Sequence, residues 1–219
     1  MNIFVQFFDF VMHLDKNLSQ LAHDFGFWTY LILFLVVFCE TGLVVTPFLP
    51  GDSMIFVIGA LAKSGQLNFP LILAVLMLAA VLGDTCNYHI GKYFGPKVFH
   101  KENVKFLNKE YLIRTHNFYE KHGGKTIIFA RFIPIIRTFA PFVAGMGEMS
   151  YSKFISYNII GGMSWVALFG FGGFFFGKIP AVENNFTIVI FAIILISVMP
   201  AVITFLKSKK EQKQKAKAS

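Results

Sequence analysis

The chain has 219 residues, of which 55% are hydrophobic and 15% charged, with 28 Phe and a formal net charge of +8. A soluble domain carries about 25% charged residues, so the composition excludes an ordinary soluble fold and points into a membrane. Two cysteines outside any CxxC or Cys/His pattern exclude a disulfide framework and a zinc site; Cys39 and Cys86 read as small buried apolar residues.

Met1–Asp15 lacks a basic n-region, which argues against a cleavable signal peptide. With Phe4, Phe7, Phe8 and Val11 on one face, it reads as an amphipathic interfacial helix. Four apolar runs follow: Phe27–Leu49, Phe69–Gly83, Phe154–Gly177 and Phe186–Leu206. Crossing the hydrocarbon takes about 20 residues. The second run reaches that length by continuing through Asp84 to Ile90, which would bring Asp84 close to a membrane face.

Lys92–Lys125 and the tail Lys207–Ser219 are strongly basic, whereas residues 1–91 hold Lys16 and Lys63 against six acids. The positive-inside rule and anionic headgroups account for this asymmetry, and no nucleic-acid partner is called for. With both basic segments cytoplasmic, Phe154–Gly177 crosses outward and Phe186–Leu206 returns. The segment at about 126–147 must then enter and leave on one side. Its Pro134 and Pro141 are helix breakers, so it reads as a re-entrant hairpin. By the same logic the segment at about 27–65 reads as a second hairpin, broken at Pro47, Pro50 and Gly51, with continuous crossing by two short helices as the rival reading. Tyr111–His122, ended by Gly123-Gly124, reads as another interfacial helix.

The predicted fold is therefore an all-α membrane protein: an inverted repeat of re-entrant hairpin plus transmembrane helix, with amphipathic interfacial helices. It forms a single integral membrane domain over 1–219. The first repeat is 1–95, the basic cytoplasmic loop 96–125, the second repeat 126–206 and the basic cytoplasmic tail 207–219. Two short matches accompany this, P-F-x-x-G at 47–51 and 141–145, and G-x-x-F-G at 91–95 and 173–177. Repeats of opposite orientation place a site at mid-membrane depth.

Charge is costly there, about 2.5–3.5 kcal/mol per residue on insertion scales. Arg131 and Arg137 would lie on opposite faces of an unbroken helix, but Pro134 between them lets both reach one cavity. A guanidinium binds phosphate bidentately and keeps its charge when partly desolvated, so the pair is the expected substrate clamp. The competing reading is that each Arg only pairs with an acid to close the hairpins together. Glu40 and Asp52 are the expected proton-coupling carboxylates, and Gly51-Asp52-Ser53 also has the form of a helix N-cap. Asp84, Asn87, Tyr88 and His89 form a polar group at the cytoplasmic end of their span, as an access-path lining or an interfacial cluster. Asn158 is placed to bond a hairpin backbone, beside Gly161-Gly162, which favour close packing. No GxSxG, HExxH or P-loop is present, so no enzyme is read, and no metal or organic cofactor is required.

The stretches E-T-G-L-x-x-x-x-F-L-P-G-D at 40–52, F-A-R-F-x-P-x-x-R-T-x-x-P-x-x-A-G at 129–145 and M-S-Y-x-x-F-x-x-Y-N-x-I-G at 149–161 resemble the DedA family of bacterial inner-membrane proteins, within the SNARE-associated/VTT group. The resemblance implies a cytoplasmic-membrane location and links to the proton motive force. It also implies translocation of undecaprenyl phosphate or another phospholipid, with family-essential acids and arginines at Glu40, Asp52, Arg131 and Arg137. The expected partners are thus a lipid phosphate, protons and the membrane, with a homo-oligomer left open. A proton-coupled antiporter of small cations or drugs is the rival, and a non-transporting division scaffold comes after it.

Overall fold

The computed structural model describes residues 13–43, 51–99, 124–147, 149–196 and 199. The expected interfacial helices at Met1–Asp15 and Tyr111–His122, the prolines Pro47 and Pro50, and the basic tail fall wholly or largely outside them. Helices are α1 Leu14–Phe25, α2 Trp28–Gly42, α3 Gly51–Lys63, α4 Phe69–Phe99, α5 Lys125–Ala130, α6 Pro134–Met146, α7 Tyr151–Phe176, α8 Pro180–Glu183 and α9 Phe186–Ile196. No strand occurs among the described residues.

Helix α1 continues the N-terminal amphipathic pattern beyond Asp15. Leu14, Leu18 and Ala22 recur every four residues, are buried, and turn one face inward. Gly26, at φ 51°, ends the helix in a conformation that most side chains avoid. Helix α3 has no such polar face, because every residue from Gly51 to Ala62 is buried. Its 13 residues rise only about 20 Å, well short of a hydrocarbon core of about 30 Å. Helix α6 is equally short.

Helices α4 and α7 are different. Phe69–Phe94 and Tyr151–Phe176 are long and apolar enough to cross a membrane, and only 39% and 33% of their most apolar stretches are buried. Leu71, Leu78 and Leu82 on α4, and Ile160, Leu168 and Phe175 on α7, stand exposed. A core helix of a soluble protein would bury these faces, whereas lipid solvates them at no cost.

The packing crosses over between the halves. Helix α2 lies on α4 and α5 on α7, but α3 packs on α7 and α6 on α4. Glycines set both crossings. Gly59 meets the Gly170 carbonyl while Gly173 meets that of Phe56; Gly145 meets the Tyr88 carbonyl while Gly91 meets that of Phe142. A methyl group at any of the four would strike backbone, so the helices approach as closely as small residues allow. In this pattern Phe56-Val57-x-Gly59 takes the place of Phe142-Val143-x-Gly145. Gly91 and Gly173 make alike backbone contacts, as do Gly59 and Gly145, whereas Gly51 meets the Glu40 side chain.

Three expectations are corrected. Pro141 does not break its segment: α6 runs through it from Pro134 to Met146. A proline removes only the bond to the carbonyl four residues back and crowds that turn, which a packed helix tolerates. Asp84 does not lie near a helix end, because α4 continues to Phe99 and leaves Asp84 midway along it. Cys86 is exposed and Cys39 only half-buried, so neither is a core residue.

Candidate functional site

Helix α2 ends at Gly42, with Glu40 in its last turn. Carbonyls point outward there, so a carboxylate opposes the helix dipole. Asp52 occupies the first turn of α3, where the dipole favours it. Arg137 stands in the first turn of α6, a position unfavourable to a cation. The three offset one another: Arg137 Nη1 donates to Asp52 Oδ1 at 2.6 Å and Nη2 donates to Glu40 Oε1. Glu40 has no solvent exposure, and Arg137 has 6%. Gly51 makes this possible, because a methyl group there would overlap the Glu40 carboxylate.

Arg131 follows the last residue of α5, in the break before Pro134 opens α6. Its Nη1 donates to Asp84 Oδ2 at 2.5 Å and to Asn158 Oδ1 at 2.9 Å, and Nη2 donates to the Ala80 carbonyl at 3.2 Å. Asn158 does not bond a hairpin backbone as expected. Its Nδ2 donates to the Val81 carbonyl on α4 at 3.0 Å, so it ties the two long helices together. Gly161 and Gly162 lie against the Arg131 side chain.

Asn87 is likewise internal rather than at a membrane face. Its Nδ2 donates to the Thr41 carbonyl at 3.1 Å and the Thr138 carbonyl at 2.8 Å, joining the end of α2 to the start of α6. Tyr88 is buried and donates to the Met149 carbonyl, while His89 is exposed. Of the four polar residues grouped at this end, Asp84 and Asn87 belong to the site. Pro134 opens α6 and Pro141 lies within it.

Sequence reading missed Trp165. It is 1% exposed and midway along α7, and its Nε1 donates to Asp52 Oδ1 at 2.8 Å. The Arg137 guanidinium lies over its ring at 4.9 Å from the centroid and that of Arg131 at 5.4 Å. A signal was present. Asn158, Gly161, Gly162 and Trp165 are spaced i, i+3, i+4, i+7, which is one helical face carrying an amide, two gaps and an indole. A buried indole N–H needs an acceptor, and the spare acids in this chain were the place to seek it.

The site therefore joins Glu40, Asp52, Asp84, Asn87, Arg131, Arg137, Asn158 and Trp165 from six segments, at the middle of the two long helices. Such an arrangement can hold an anion against two cations, or redistribute protons among three carboxylates.

The VTT domain model matches residues 49–175. The chain is 53% identical to Protein DedA of Escherichia coli over 211 residues, covering 95% of this chain and 96% of that protein. It is 41% identical to an uncharacterized membrane protein of Mycobacterium tuberculosis, over 78% of this chain and 76% of the relative. It is 32% identical to inner membrane protein YqjA of Escherichia coli, over 69% of each. No solved structure matches it. On the match of its central 49–175 to the VTT domain, and of nearly its whole length to DedA, the chain belongs to the DedA family of membrane proteins.

Proposed function

We propose that this protein is a lipid-phosphate translocase of the inner membrane, moving undecaprenyl phosphate or a phospholipid across the bilayer. The observation that carries this reading is the pair of buried arginines held beside one indole. Each guanidinium keeps a buried Nε–H with no partner among the described residues, so donors for an incoming phosphate are in place. The arginines are paired with carboxylates, which is compatible with both sequence readings: in this proposal the phosphate displaces carboxylates that otherwise close the hairpins. Charge pairs inside a low-dielectric site favour such exchange over exposure of a bare cation.

The proposed architecture is an inverted repeat of 1–95 and 126–206. The hairpin at about 27–65 is α2 with α3, and that at about 126–147 is α5 with α6. The equivalent glycine crossings support it, as does the short length of α3 and α6. The loop 96–125 and tail 207–219 are placed in the cytoplasm by their charge. The apolar tail of the substrate would stay in the bilayer against the exposed faces of α4 and α7. The protein acts by carriage, without chemistry on the substrate, and needs no metal or cofactor.

One observation favours a second reading, a proton-coupled antiporter of small cations. Three buried carboxylates, Glu40, Asp52 and Asp84, face two arginines, leaving one negative charge for a proton or cation to balance.

Flipping of labelled undecaprenyl phosphate in liposomes containing the purified protein tests the proposal. Transport by the native protein should be lost in Arg131→Ala and Arg137→Ala variants that still fold. Cation-dependent proton flux with no lipid movement would select the antiporter.

A further inference from the structure

We infer that Trp165 is a positioning residue that holds Arg131 and Arg137 as one responsive unit, and that anion capture draws the guanidiniums away from its ring. This rests on the anion reading above and assigns a part to a residue outside the acid–arginine set.

The two guanidiniums come from different places, one from the break after α5 and one from the first turn of α6. Left alone, two cations over one ring in a dry site repel. The indole face, negative by its quadrupole, attracts both. Trp165 also donates its N–H to the oxygen of Asp52 that receives Arg137 Nη1. That donation takes up part of the electron density Asp52 offers Arg137 and leaves the guanidinium easier to draw off. The same helix face supports this: Gly162, one turn before Trp165, lies against the Arg131 guanidinium, and Asn158 on that face accepts a hydrogen bond from it.

The chain contains two tryptophans, which makes the test direct. Trp28 is 65% exposed on α2 and touches none of the site. A Trp28→Phe protein in detergent therefore reports Trp165 alone. Farnesyl phosphate would be titrated in, with farnesol as the neutral control, following indole emission and calorimetric heat together. The expected result is a saturable emission change with farnesyl phosphate only, at the calorimetric midpoint. Trp165→Phe keeps a ring but loses the N–H; Asp52 then grips Arg137 harder, and calorimetric affinity should fall roughly tenfold, the scale of a charged hydrogen bond.

Calorimetric binding with static emission overturns the role of Trp165 and leaves the anion reading intact. Unchanged affinity in a folded Trp165→Phe protein does the same. Absence of any phosphate-dependent heat overturns the anion reading and this inference with it. The emission titration needs no change at Trp165, so a poorly folding variant does not decide the matter.

Discussion

The two arginines occupy unlike surroundings. Arg137 is held by two carboxylates, Glu40 at the end of α2 and Asp52 at the start of α3. Arg131 is held by one carboxylate and one amide, Asp84 and Asn158, both on the long helices. Arg137 thus ties the start of α6 to the end of α2 and the start of α3, with a surplus of negative charge around it. Arg131 ties the break before α6 to α4 and α7, with its charge just balanced. Loss of one acid should accordingly matter less around Arg137 than around Arg131.

The largest effect is expected from Arg137→Ala, which strands two buried acids side by side. Breaking such a pair costs about 3–5 kcal/mol, and thermal unfolding in detergent should register it along with loss of transport. A melting point equal to the native one would contradict the lock. Asp84→Asn comes next, because it leaves Arg131 with no carboxylate; about 3 kcal/mol is expected, read by the same melt. Gly51→Ala should cost about 1–3 kcal/mol by overpacking against Glu40, and Glu40→Ala in the same chain should recover part of it. Glu40→Gln should be mildest, about 1 kcal/mol, since Asp52 still holds Arg137. Should Glu40→Gln prove as costly as Asp84→Asn, the contrast between the two surroundings is wrong.

The acids and arginines of the site were legible in the sequence because charge within apolar segments is costly and so stands out. Trp165 stood out less, since its only mark was a shared helix face with Asn158, Gly161 and Gly162 rather than a buried charge. Asp84 was noticed but misplaced, because apolar content ends at Ile90 while the helix itself runs to Phe99. Hydropathy locates where lipid contact is affordable, and helices continue beyond that wherever other surroundings satisfy them. The break at 131–133 was legible from Pro134, whose missing N–H and fixed φ suit the first turn of a helix. Pro141 has the same chemistry within a turn that packing sustains, and no local rule separates the two.

By itself, the sequence determined the membrane class, the interrupted segments and the charges that must be buried together. These follow from the cost of polar groups in hydrocarbon, which depends on residue type alone. Only the tertiary structure decided which acid meets which arginine, that α3 and α6 pack on the opposite half, and that one indole serves both cations. Those choices depend on where glycines let backbones touch and on charges far apart in the chain.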